Sequence, residues 1–212
     1  MLRTIAALFM VFALTAPAMA QRPPAYVRHF QKGIEAVQAG DFQTAVTELT
    51  EAIDSGKLEG ENLGNAHMAR GYAYVQLKQC SNAIPDFTKA IEIKPQEAQI
   101  YAQRGNCYIE TQQVQPGIAD LKQAVALAPE DKSYAEFLCA SANNAKLYAE
   151  SGPACENAAK KFSPQDKQLI TASAQAYELS GNKPKANEMW KMLLALDPNS
   201  KDAKDGIART GK

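Results

Sequence analysis

The sequence predicts an all-α protein, an α-solenoid of about five helix-turn-helix units, and three observations carry that prediction. A pattern of small, bulky and proline residues returns after 34 residues; apolar positions recur at helical intervals; and 46% of the 212 residues are hydrophobic, enough to bury a sizeable core. The pattern is clearest from Gly64 to Pro95. Counting from Gly71 as zero, Tyr74 lies at +3, Ala83 at +12, Phe87 at +16, Ala90 at +19 and Pro95 at +24. Gly105 opens the same count with Tyr108, Gly117, Leu121, Ala124 and Pro129. From Ala174 it runs Tyr177, Ala186, Trp190, Leu193 and Pro198, and from Gly33 it runs Ala36, Ala45, Leu49 and Ala52.

The pattern describes two antiparallel helices per unit. Small residues at zero, +12 and +19 let the helix backbones approach, the bulky residue at +16 fills the space beside them, and proline at +24 ends the second helix. One helix pair cannot bury its own apolar face, so the units must stack. These residues resemble the tetratricopeptide repeat (TPR) family over about Ala25 to Asn199. The resemblance is strongest in the second, third and last units. It is weaker in the first, which has Lys57 where the proline belongs, and poor between Lys132 and Pro164. It implies a right-handed superhelix, no cofactor, and a protein or peptide partner held in the concave groove formed by the first helices.

In chain order, residues 1–20 read as a cleaved signal peptide: Met1-Leu2-Arg3, an apolar run from Ile5 to Ala16, then Ala18-Met19-Ala20 as an A-x-A cleavage site. The run is shorter than the roughly 20 residues that span a bilayer, and the mature chain contains no membrane span. The first cysteine is Cys80, too far on to carry a lipid at the cleavage site. The expected destination is the periplasm, or the outside of the cell for a source that is not Gram-negative. Residues 21–25, with Pro23-Pro24, read as an extended lead-in, followed by units at about 26–63, 64–97, 98–131, 132–166 and 167–199.

Within the units the expected helices are Tyr26 to Ala39 and Phe42 to Asp54, broken by Gly40-Asp41; Gly64 to Leu77 and Cys80 to Ile93; and Glu97 to Gln112 and Gln115 to Leu127. Ser55 to Leu63 reads as a surface loop absorbing four additional residues, or as a functional excursion. Pro116 suits the start of its helix, whereas Pro85 implies a shortened or tightened first turn. The fourth unit reads as one long helix, Asp131 to Glu150, restarted at Gly152-Pro153 into Ala154 to Phe162. Pro164 to Ser180 and Lys183 to Leu196 complete the stack. Residues 200–212 form a short capping helix and tail, the helix at Lys201 to Arg209.

Four cysteines in an exported chain point to disulfides, of three possible connectivities, or to small buried core residues. Cys80 begins a second helix and Cys107 lies on the next unit's first helix beside it; Cys139 and Cys155 fall on opposite helices of the fourth unit. The expected pairs are therefore Cys80 with Cys107 and Cys139 with Cys155. Three charge pairs also recur 16 residues apart, Lys32 with Glu48, Arg70 with Asp86 and Arg104 with Asp120. Antiparallel packing brings each across its own hairpin as a structural ion pair that fixes register.

Little in the chain suits catalysis. It contains no phosphate loop, nucleotide fingerprint or nucleophile elbow. The two histidines, His29 and His67, each precede the template glycine by four residues, which suits a capped structural histidine better than a metal ligand. The 23 basic and 23 acidic residues balance, and removal of the leader with Arg3 leaves one acidic residue in excess, so nucleic acid is not an indicated partner.

Binding is better supported. Positions −6, −3, +1 and +4 of each first helix face away from the second helix, toward the groove. They are Val27, Phe30, Ile34 and Val37; then Asn65, Met68, Tyr72 and Val75; then Gln99, Ala102, Asn106 and Ile109. Ser133, Glu136, Ala140 and Asn143 follow, then Gln168, Thr171, Gln175 and Glu178, so the groove runs from apolar to polar. The expected partner site is Val27, Phe30, Ile34, Val37, Met68, Tyr72, Val75, Asn106 and Ile109, with Phe30 and Tyr72 as exposed aromatic anchors. Some TPR domains hold a terminal carboxylate in a lysine and asparagine clamp; Phe30, Ile34, Met68 and Tyr72 occupy those places here. The sequence thus suggests a non-catalytic periplasmic adaptor for a protein or peptide segment, or alternatively a homodimeric scaffold joined through the apolar first repeat.

Overall fold

A computed structural model describes residues 22–211, so the expected signal peptide lies outside the described residues. The described chain holds eleven helices and no strand. They are α1 (Ala25–Ala39), α2 (Phe42–Asp54), α3 (Gly60–Gln76), α4 (Cys80–Ile93), α5 (Ala98–Glu110), α6 (Val114–Leu127), α7 (Lys132–Asn144), α8 (Tyr148–Phe162), α9 (Lys167–Leu179), α10 (Lys183–Leu196) and α11 (Lys201–Thr210). Each odd helix packs on the even helix that follows, and each hairpin packs on the next, as in an α-solenoid.

The hairpins close because the template's small residues are needed. A Cβ added to Gly71 would lie 2.9 Å from the Phe87 ring, and one added to Gly105 would lie 2.9 Å from the Gly117 carbonyl oxygen. Phe87, Leu49, Leu121 and Trp190, all at +16, are buried. Every hairpin turn also carries one residue in the left-handed region at +7: Gly40, Lys78, Gln112, Lys146 and Gly181. At each of them the next residue donates its backbone N–H five residues back, as Asp41 does to Ala36 and Leu147 to Ala142, both at 2.9 Å. This satisfies a carbonyl left open at the end of the first helix.

Five expectations are corrected. Ser55 to Leu63 is not all loop: α3 begins at Gly60, so the additional residues become an extra helical turn, and Leu58 is buried in the N-terminal core. The fourth unit breaks at Lys146, not at Gly152-Pro153, which lies inside α8. That unit is also regular, since Cys139 is 34 residues beyond Gly105, and Ser151, Cys155 and Ala158 fall at +12, +16 and +19. Pro85 leaves the first turn of α4 intact: it is the sixth helical residue. Pro153 holds the equivalent place in α8, and both prolines are exposed, so each carbonyl deprived of a partner lies within reach of water. α9 starts at Lys167 instead of Pro164 because the Asp166 carboxylate accepts from the N–H groups of Gln168 and Leu169.

The far end is closed by α11. Gly206 lies against the Trp190 indole, where a Cβ would come within 2.4 Å, Asn187 donates to the Thr210 hydroxyl at 3.1 Å, and Arg209 pairs with Glu178. No described helix is long and apolar enough to cross a membrane.

Candidate binding groove

α1, α3 and α5 lie side by side along the solenoid, and a recess of about 300 Å³ opens across them. Its walls are Ile34, Val37 and Gln38 from α1, Met68, Ala69 and Tyr72 from α3, and Gln99, Ile100 and Gln103 from α5. Phe87 of α4 contributes the floor where Gly71 has no side chain. Tyr72 stands edge-on to Phe42, ring centroids 6.0 Å apart, so its position is set by packing. A second recess of about 290 Å³ follows between α5 and α7, lined by Ala102, Gln103, Asn106, Ser133, Tyr134 and Phe137. Farther along, the surface of α9 is polar, with Lys167, Gln168, Thr171 and Gln175.

Of the residues proposed from the sequence, Ile34, Val37, Met68 and Tyr72 meet in the first recess and Asn106 lines the second. Phe30 is half-buried against the N-terminal core, so it is not an exposed anchor; Tyr72 is half-buried too. Val75 packs against the core of the second unit and Ile109 against Gly117, and neither lines either of these two recesses, nor does Val27. Gln38, Ala69, Phe87, Ile100 and Gln103 escaped the sequence reading. Their signal was available: Ala69 and Gln103 sit at −2 and Gln38 at +5, so the groove face of each helix is wider than one stripe.

On a face that shares no residue with the groove, a polar ladder ties the first three hairpins together. Arg70 binds Asp86 through two hydrogen bonds of 2.8 Å and donates to Thr50 of the preceding unit at 3.0 Å. Arg104 repeats this with Asp120 at 2.7 and 2.9 Å and Thr88 at 3.1 Å, and lies over the rings of Tyr101 and Tyr108. The first unit is looser. Lys32 stays 3.8 Å from Glu48, whose close partner is His29 at 2.6 Å. His67 likewise meets Asp86 at 2.9 Å. Burial opposes ionisation of Asp86 most, but the hydrogen bonds from Arg70 and His67 outweigh it and hold the carboxyl below its usual range. Among the described residues no three histidine, cysteine or acidic side chains cluster as a metal site would require.

The cysteines lie at disulfide distance as Cys80 with Cys107 and Cys139 with Cys155, Cα atoms 4.9 and 4.7 Å apart. The first pair joins α4 to α5 across two units, in the core cluster that holds Phe87 and Ile100; the second joins the two helices of one unit. In the last hairpins Glu156 is the centre of a polar cluster. It accepts from Tyr177, from Lys160 at 2.7 Å and from Lys185 at 2.9 Å. Burial works against its charge, yet these donors bring its pKa down to about 2, while burial and the Glu156 contact push the Tyr177 hydroxyl up.

A stack of helix hairpins, with recesses free of charged side chains across α1, α3, α5 and α7, defines an α-solenoid of the repeat class. Residues 64–97 and 98–131 each match the model of the tetratricopeptide repeat family. Solved structures share its fold. MamA superposes with a TM-score of 0.64 at 19% identity, covering 85% of this chain and 94% of that one. YrrB, "a TPR protein with an unusual peptide-binding site", gives 0.63 at 16% identity, with 85% and 90% covered. A tetratricopeptide repeat protein from Parabacteroides merdae gives 0.62 at 15%, with 88% and 72% covered. No curated protein sequence matches significantly.

Proposed function

We propose that this chain is a non-catalytic adaptor of the bacterial periplasm that binds a protein or peptide segment in the groove formed by α1, α3 and α5. The observation that carries this reading is the recess itself. Three successive units contribute Ile34, Met68, Tyr72 and Ile100 to one open, apolar surface on a preformed scaffold. The paired cysteines fit an oxidising compartment, and the A-x-A sequence ending at Ala20 fits export. The peptide-binding site named for YrrB adds that the fold can carry such a role.

The test is crosslinking and affinity capture from the protein's own cells, with wild type compared to Met68→Glu and Tyr72→Glu. Circular dichroism checks that each variant is folded. A partner captured by wild type and lost by both folded variants supports the groove; retention of the same partner by both overturns it. Light scattering tests the homodimeric alternative, which requires a mass that rises with concentration.

A further inference from the structure

The two recesses along the groove are neighbours. Gln103 lines both, forming one wall of the Ile34, Met68 and Ile100 recess and one wall of the Ala102, Tyr134 and Phe137 recess. None of the residues lining either recess is Asp, Glu, Lys, Arg or His, although 22% of the chain is charged. The surface recess beside the ladder is the opposite case, with Asp54, His67, Arg70, Asp86 and Lys89 in its walls. What polarity the groove has comes from carboxamides and from the hydroxyl residues Tyr72, Ser133 and Tyr134. Gln38 and Gln99 are exposed and Gln103 is half-buried, each accessible beside the apolar floor.

These features select a ligand chemistry. A charge carried into such a site would lose part of its hydration and find no counter-charge in the walls, and the Glu110 carboxylate behind Asn106 repels an anion, so ionised side chains and a terminal carboxylate are disfavoured. A carboxamide offers two donors and one acceptor oxygen, which suits a peptide backbone presenting N–H and C=O groups in turn. Each recess lies at or just below the lower end of the roughly 300–1,000 Å³ range of ligand pockets, room for side chains and not for a folded element.

Building on the groove reading, we propose that this track holds one extended, internal peptide segment, uncharged over its bound length. It places one apolar side chain in each recess and pairs its backbone with the carboxamides of Gln38, Gln99 and Gln103. Specificity then rests on apolar side chains and main chain, and ionic strength has little effect on it.

The experiment is selection of a displayed library of random peptides about 12 residues long, fused through their C-termini, on the purified protein. Enriched sequences are remade with acetylated and amidated ends and titrated by calorimetry. The expected sequences carry two apolar positions separated by uncharged residues. Their Kd changes less than about twofold between about 50 and 500 mM NaCl, weakens about 3- to 10-fold in Gln103→Ala, and is lost in Met68→Glu. Enrichment of acidic or basic peptides, or a Kd that shifts about tenfold with salt, overturns the proposal; if Met68→Glu still abolishes binding, the groove survives as the site. Peptides that bind folded Met68→Glu and Tyr72→Glu as tightly as wild type overturn both readings. A library that yields no enriched sequence overturns the proposal alone, as does self-association that Met68→Glu dissolves, which assigns the groove to a second copy.

Discussion

In the hairpin of α3 and α4, Gly71 lies against Phe87, and Arg70 beside it spans to Asp86. In the hairpin of α7 and α8 the equivalent places hold Cys139 and Cys155, and Leu138 and Ala154, all buried. The backbone register is the same, and two chemistries maintain it. The first three units fix helix against helix with a small residue under a large one, and the second and third add an arginine–carboxylate ladder that reaches into the preceding unit. The fourth replaces the first contact by a cysteine pair and the second by apolar packing. Its junction with the last unit then rests on Gly152 under Tyr177, Ser173 donating to the Gly152 carbonyl at 3.0 Å, and the Glu156 cluster. The repeat therefore dictates where a contact must be, and leaves open what makes it.

The largest effect expected from breaking this comparison is at the ladder. Asp86→Ala leaves Arg70 and His67 without their carboxylate and costs about 3–5 kcal/mol, because a buried charge loses its partner. Transplanting the fourth unit's solution, as Arg70→Leu with Asp86→Ala, restores most of that loss. Urea midpoints check both, and a double variant less stable than Asp86→Ala would show that the two solutions are not interchangeable. Next in size is the cysteine pair. Cys139→Ser is expected to cost about 3 kcal/mol, the entropy released by opening a 16-residue loop. The N-terminal pattern, introduced as Cys139→Gly with Cys155→Leu, recovers part of it, and melts with and without reductant read the difference.

A smaller effect is read from pH. The folded Glu156 carboxyl titrates at about 2 against an ordinary 4.5. A lowered folded pKa contributes stability that is present above 4.5 and is lost as pH falls through that value toward 2. Tm should therefore fall over this window, and Glu156→Gln should flatten the fall while lowering Tm at neutral pH. The smallest effects are at the turns. Lys78, Gln112 and Lys146 adopt positive φ without being glycine, so Lys78→Gly and Lys146→Gly should each gain about 1 kcal/mol, whereas Gly40→Ala loses a similar amount. Urea midpoints for the single variants measure this.

Much of the architecture was legible because steric demands recur in residue type. Phe42–Asp54, Cys80–Ile93 and Lys183–Leu196 are bounded as their caps and breakers suggest, and both cysteine pairs follow from which helices must be neighbours. The fourth unit is hard to read because Cys155 and Ser163 stand where the template has a bulky residue and a proline. The conspicuous Gly152-Pro153 drew the break, although an exposed proline in the sixth helical position is tolerated twice in this chain. The extra turn of α3 was missed since Glu59 and Gly60 look like loop residues, and tertiary packing of Leu58 overrides that preference. In the groove, the four-position stripe found Ile34, Val37, Met68 and Tyr72 but treated Phe30 as exposed; burial by neighbouring helices is a property of the stack and not of one helix.

The most direct test of the central claim compares two equivalent positions, both at −3, at opposite ends of the groove. Crosslinking capture of wild type, Met68→Glu and Thr171→Glu from the native cells should give the same specific partner for wild type and Thr171→Glu and lose it for Met68→Glu, with all three folded. Loss in Thr171→Glu with retention in Met68→Glu would contradict the account and move the site to the polar end of the solenoid.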